Sequence, residues 1–306
     1  MKKEILHPFV VEILQNATNI TIEDYAKLMN NGRAYHNIQH VNDMVSFAIK
    51  VQFELSESLV LAILFHDIYP NVEDSVKKFE EVINTHRARR IRLDIDEISE
   101  AIRETDYFNK EIKSELGYKL VLCDLEFLHT TDISDVIKYE KRIFSEYQTT
   151  PLHVYISNRI AFLKKFKKRM LEQKKFWEYS TFEYYRNYFE KNVTMVESIV
   201  KNKQYKVGLY CGSFNPFHRG HYDILKQAEA VMDKVIVCIG NNSSKMVSIV
   251  PWDKKGLKRE IIKYNESIID LYNSQKYVGA VADVYIIRGI RNSSDLAYET
   301  NFMRTI

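Results

Sequence analysis

Long apolar runs are missing from this 306-residue chain: none approaches the roughly 20 residues needed to cross a bilayer, so no membrane-spanning helix is expected. The start, Met1 to Pro8, has neither the apolar stretch nor the small-residue cleavage site of a secretory signal, and a cytoplasmic protein is expected. Cysteine is scarce. Cys123, Cys211 and Cys238 lie far apart, each inside an apolar run, and read as small core residues in a reducing compartment, with no disulfide and no cysteine-rich zinc site. Charge of one sign is not in excess: 44 basic against 41 acidic residues leave +3, too little to make nucleic acid the main partner. Disorder is excluded by 45% apolar residues against 28% charged, in a chain long enough for two domains of about 100–200 residues each.

Glycine is unevenly absent. Only Gly32 and Gly117 of the nine precede residue 206. Helix interiors avoid glycine and strand-to-helix turns need it, so an all-α domain over 1–203 followed by an α/β, Rossmann-like domain over 204–306 is expected. The polar stretch Lys201 to Lys206 reads as the linker. Apolar residues recur at helical spacing at Val41, Val45 and Ala48, at Leu59 to Phe65, and at Leu116, Leu120 and Cys123; further helices are predicted near 132–148, 152–171 and 180–200. Beyond 206, Val207–Cys211, Val235–Ile239 and Val284–Ile287 read as buried strands, with a helix over 220–232 and a mostly helical stretch at 254–282.

In the first region His66 and Asp67 end an apolar helix, where two adjacent polar groups are costly to bury without partners. Asp124 interrupts the apolar run Leu120–Leu125, and His40 lies on another helix. Two imidazoles and two carboxylates suit a divalent manganese, iron, cobalt, nickel, zinc or magnesium ion. In order and context, His40, His66, Asp67 and Asp124 resemble the ligand set of the HD superfamily of metal-dependent phosphohydrolases, and Arg33 to Val41, Phe65 to Tyr69 and Glu73 to Ser75 extend the resemblance over roughly residues 5–200. It implies attack of an activated water on phosphorus while the cation neutralises charge on the phosphoryl oxygens. His36, one turn before His40, contacts a phosphate or second ion, or else has a capping or surface role. Glu73 is a candidate acid/base or water-positioning group, or an ordinary first-turn carboxylate.

In the second region a strand leads into Gly212-Ser213-Phe214-Asn215-Pro216-Phe217-His218-Arg219-Gly220-His221 and then a helix. A glycine turn lets backbone N–H groups approach phosphate, and the helix N-terminus favours anions. The pattern resembles the HxGH signature of adenylyl- and cytidylyltransferases. Arg288-Gly289-Ile290-Arg291, trailed by Asp295, Tyr298 and Glu299, is similar to the pantetheine-phosphate adenylyltransferase family, as is Lys245. The resemblance implies adenylyl transfer from Mg-ATP to a phosphorylated acceptor. Gly212, Ser213 and Phe214 would contact nucleotide and phosphate, and His221 would stabilise the transition state. Lys245 and Arg288 would hold the acceptor's phosphate, and Gly289, Arg291 and Glu299 would face ATP. His218 departs from that family, which commonly has threonine there, and agrees with nicotinate or nicotinamide mononucleotide adenylyltransferases, so the resemblance leaves the acceptor open, with phosphopantetheine or nicotinamide mononucleotide as examples. The family continues for tens of residues beyond this chain's last motif, so either another subunit completes the site or a nucleotide-binding or assembly role remains. The basic run Lys164 to Arg169 reads as a solvated helix face or a collector of anions. Expected ligands throughout are nucleotides and phosphorylated metabolites, with a homo-oligomer left open.

Overall fold

The computed structural model describes residues 6–29, 33–85, 93–180, 182–214, 216–240, 257–265, 267–278, 282–290 and 293–303. They divide into two compact units, Met1–Glu146 with Ala161–Ser198, and Tyr147–Ile160 with Ile199–Ile306. The helical part of the chain runs α1 (Pro8–Ala17), α2 (Ile22–Met29), α3 (Ile38–Lys50), α4 (Glu57–Phe65), α5 (Val72–Asn84), α6 (Ile95–Glu104), α7 (Glu115–Asp124), α8 (Ile133–Glu146), α9 (Leu152–Glu172), α10 (Lys174–Glu178) and α11 (Phe182–Asn202).

Helix α4 organises the first unit. Its residues Leu59 to Phe65 are all fully buried, and a helix apolar on every side must be enclosed by others. It packs against α1, α3, α5, α6 and α7, while α3 also packs against α7. Side-chain caps fix where these three helices begin. Asn37 accepts from the backbone N–H of Gln39 and His40, Ser56 from that of Leu59, and Ser114 from that of Gly117. Because α3, α4 and α7 are mutual neighbours, residues near their ends can converge from distant parts of the sequence.

The second unit contains β1 (Tyr205–Gly212), α12 (Arg219–Glu229), β2 (Lys234–Gly240), β3 (Ile261–Tyr264), α13 (Ile268–Val278), β4 (Ala282–Ile287) and α14 (Ser293–Met303). All pairings are parallel, in the order β3-β2-β1-β4. The chain builds outward from β1 through β2 to β3, then returns to lay β4 on the other side of β1. That reversal makes a switch point between β1 and β4, and ligands of such sheets bind outside the carboxyl ends of the strands there. Cys211 and Cys238 are register partners on β1 and β2, both buried free thiols.

The residues expected to form the linker are mostly regular: α11 runs to Asn202 and β1 begins at Tyr205. The stretch 254–282, expected to be mostly helical, contains the strand β3 as well as α13, with 254–256, 266 and 279–281 outside the described residues. Tyr147–Ile160 belongs with the sheet because the buried Lys234 ammonium donates to the carbonyls of Gln148 and Thr150, each at 2.8 Å, and pairs with Glu260 at 2.9 Å. No described helix is long and apolar enough to cross a membrane.

Candidate functional site

At the end of α4 the last carbonyls have no partners within the helix and take side chains instead. His66 Nδ1–H donates to the Ile63 carbonyl at 2.8 Å, and the Tyr25 hydroxyl donates to that of Leu64 at 2.7 Å. The Arg33 guanidinium donates to the carbonyls of Asp67 and Ile68. Together these bonds hold the His-Asp turn in one shape.

Around that turn the four residues singled out from the sequence come together. One donor atom from each of His40, His66, Asp67 and Asp124 lies within 4.8 Å of all the others. His40 Nε2 is 3.1 Å from Asp124 Oδ1, and His66 Nε2 is 3.2 Å from Asp67 Oδ2 and 3.6 Å from Asp124 Oδ1. A carbonyl can only accept, so the proton of neutral His66 sits on Nδ1, and Nε2 turns a lone pair toward two carboxylates. Nε2 is buried and has no hydrogen-bond partner among the described residues. An unpartnered lone pair among carboxylate oxygens is what a cation resolves, so the donor set fits a divalent ion. With protons alone, burial works against His66 charging, but Asp67 and Asp124 overcome it and push its pKa up. Burial pushes His40 down despite Asp124. Burial also opposes both carboxylates, yet the histidines hold them below the ordinary range, Asp124 at about 2.

His36 stands at the rim, with Nε2 3.6 Å from Asp67 Oδ2 and Nδ1 3.0 Å from Glu146 Oε2. Glu146 also accepts the backbone N–H groups of Tyr35 and His36. Glu73 is not joined to this group by any described contact; it sits half-exposed in the first turn of α5, paired with Arg103 at 3.3 Å. Three residues escaped the sequence reading. The Tyr107 hydroxyl donates to Asp124 Oδ2, Glu126 Oε1 lies 3.8 Å from His40 Nδ1, and Glu146 anchors His36. Glu126 had a local signal, a second acid two positions after Asp124 in an apolar run; Tyr107 and Glu146 had none.

In the second unit, Gly212 ends β1 at the switch point and α12 begins at Arg219. His218 and His221 stack with ring centroids 3.8 Å apart, and the His218 backbone N–H donates to His221 Nδ1 at 3.3 Å. Gly220 makes room for this stack: a Cβ there would stand 3.2 Å from the His218 ring. The Phe214 ring is buried against Tyr210 and His221, on a backbone at φ 45°. The ring packs under the turn and shapes it. Ser213 is half-buried beside it.

Arg288, at the carboxyl end of β4, donates through Nε and Nη2 to Glu299 Oε1 at 2.9 and 2.7 Å, and through Nη1 to the Cys211 carbonyl. Two residues assigned separate ligands from the sequence are thus each other's partners. Gly289 lies so close to Ile224 of α12 that an added Cβ would overlap its δ-methyl. Lys245 and Arg291 lie outside the described residues. The basic run on α9 is largely engaged: Lys164 with Glu197, Lys167 with Thr194, and Arg169 with the carbonyls of Tyr107 and Lys110.

Residues 209–289 match the family model described as cytidylyltransferase-like. Phosphopantetheine adenylyltransferase of Leuconostoc mesenteroides is 35% identical over 102 residues, 30% of this chain and 59% of the relative. The enzymes of that name from Mycoplasma capricolum and Mycoplasma mycoides are 34% and 36% identical, covering 32% of this chain and 72% of each relative. The chain therefore spans 59–72% of these relatives' lengths. No solved structure matches the chain with comparable significance. Through its C-terminal region, the chain belongs to the cytidylyltransferase-like family of nucleotidyltransferases, with phosphopantetheine adenylyltransferases among its relatives.

Proposed function

We propose that the protein is bifunctional: a metal-dependent phosphohydrolase in its helical unit and an adenylyltransferase in its α/β unit. The observation that carries the first half is the buried, unpartnered Nε2 of His66 facing two carboxylates. His40, His66, Asp67 and Asp124 would hold a divalent cation, which when bound supplies Lewis acidity toward a phosphoryl oxygen and a water. The protein's own contribution is orientation. The bonds to the Ile63 and Asp67 carbonyls fix His66 and Asp67, and the Tyr107 hydroxyl steadies Asp124 by donating to its Oδ2. His36, with Glu146 behind it, offers a donor at the rim for a phosphate oxygen.

For the second half, the turn at Gly212, the start of α12 and the stacked His218 and His221 converge at the sheet's switch point, as expected of a site for phosphates. An acceptor phosphate oxygen attacks the α-phosphorus of ATP, that P–O bond forms as the bond to the β-phosphate oxygen breaks, and pyrophosphate leaves. The relatives' names favour phosphopantetheine as acceptor; His218 keeps nicotinamide mononucleotide as the alternative. The pair Arg288–Glu299 favours a second reading, in which the α/β unit binds nucleotide without catalysis, because its guanidinium is already engaged.

Two assays test the proposal on the full chain. Pyrophosphate release from ATP with either acceptor, lost on His221→Ala, supports the transferase; nucleotide binding with no release supports the second reading. Phosphate release from a nucleotide panel with Mn²⁺ should be lost on Asp67→Asn, and its survival in that variant would refute the hydrolase.

A further inference from the structure

Behind His40, on the side away from the other three ligand residues, lies a second carboxylate. His40 is fully buried and Glu126 is 7% exposed. His40 Nδ1 and Glu126 Oε1 face each other at 3.8 Å, and neither atom has a hydrogen-bond partner among the described residues. Two buried polar atoms with no partner are each other's natural complement, and with Nε2 given to a cation the Nδ1–H donates and Glu126 accepts: a shift of under an ångström closes the bond. On the opposite edge of the ring, Nε2 donates to Asp124 Oδ1 at 3.1 Å, so a cation taking Nε2 as a ligand displaces that proton and leaves the imidazole proton on Nδ1, facing Glu126. The Asp124 backbone ends α7 and Glu126 follows it by two residues, so one short segment supplies a carboxylate to each edge of the same imidazole.

We infer that Glu126 is a positioning residue that accepts His40 Nδ1–H and thereby keeps Nε2 unprotonated and turned toward a bound divalent cation. The inference rests on reading His40, His66, Asp67 and Asp124 as a cation site, and extends it outward by one shell. A neutral imidazole carries one proton; whichever nitrogen holds it cannot ligate. His66 has its proton fixed by a carbonyl in its own helix. His40 has no such carbonyl, and Glu126 is the group placed to do that work. A carboxylate acceptor also makes the distal nitrogen more basic, and loss of such outer partners commonly weakens cation binding by about 10–100-fold.

Three full-length proteins are titrated with Mn²⁺ after metal removal: wild type, Glu126→Gln and Glu126→Leu. The Gln variant keeps an acceptor oxygen and guards against a Leu variant that fails to fold, which circular dichroism reports. Mn²⁺ affinity should fall about 10–100-fold in the Leu variant and by less in the Gln variant. In wild-type protein loaded with diamagnetic Zn²⁺, ¹⁵N spectra of the histidines should show His40 protonated at Nδ1, and Glu126→Gln should shift that signal. Wild-type Mn²⁺ binding with equal affinity in both variants, or a His40 proton on Nε2, overturns the inference while leaving the cation site standing. Absence of Mn²⁺ binding in wild type would instead remove the site reading itself.

Discussion

Replacing Gly117 by alanine sets two physical rules against each other. Gly117 is the third residue of α7, and in an ordinary helix interior Gly→Ala stabilises by about 1 kcal/mol. Here a Cβ would overlap Glu104 Oε2 and stand 2.8 Å from its Cδ. The Glu104 carboxylate is buried and accepts from the Lys113 N–H at 2.9 Å, the Ser114 N–H at 3.0 Å and the Ser114 hydroxyl at 2.7 Å. Expelling it forfeits three bonds at about 1 kcal/mol each. After the propensity gain, Gly117→Ala should destabilise the helical unit by about 2 kcal/mol, lowering its melting temperature by roughly 4–8 °C. Urea and thermal unfolding followed by far-ultraviolet circular dichroism read this directly. The double variant Gly117→Ala/Glu104→Ala should lose less than the sum of the singles, because the methyl then has room. A single Gly117→Ala variant as stable as wild type, or more so, would refute the reasoning and return α7 to simple helix propensity.

Acid should weaken the helical unit through His129. Burial lowers its pKa to about 4 while the unfolded side chain titrates near its ordinary value, so the unfolded chain binds the extra proton first. This contribution is fully present above about pH 6.5 and is lost as pH falls toward 4, by up to about 3 kcal/mol; His129→Gln should flatten that slope in unfolding measured from pH 4 to 7. In the α/β unit, Lys234→Met leaves Glu260 without its buried partner and should destabilise by about 3–5 kcal/mol, much of it recovered in Lys234→Met/Glu260→Leu; equal loss in both variants in urea titrations would contradict the ion-pair account.

What could be read from the sequence was whatever neighbours in sequence determine. The continuous apolar run Leu59–Phe65 marks a helix enclosed on all sides, and the His-Asp pair at its end is anomalous enough to single out. The same holds for the strand runs of β1 and β2 and for the glycine turn that follows β1. What escaped depends on partners far along the chain. Glu146 reaches His36 across 110 positions, and Tyr107 reaches Asp124 from a loop that Arg169 of α9 pins down. The inward packing of the Phe214 ring against Tyr210 and His221 is also something a linear pattern cannot show. Arg288 and Glu299 likewise look like two independent ligand contacts until the fold pairs them.

Equilibrium cation binding tests the core of the account. Metal-stripped full-length protein titrated with Mn²⁺ in a calorimeter should bind one ion per chain, and Asp124→Asn should abolish that binding while leaving the circular dichroism spectrum intact. No binding to the wild-type chain, or the same binding in the Asp124→Asn variant, would contradict it.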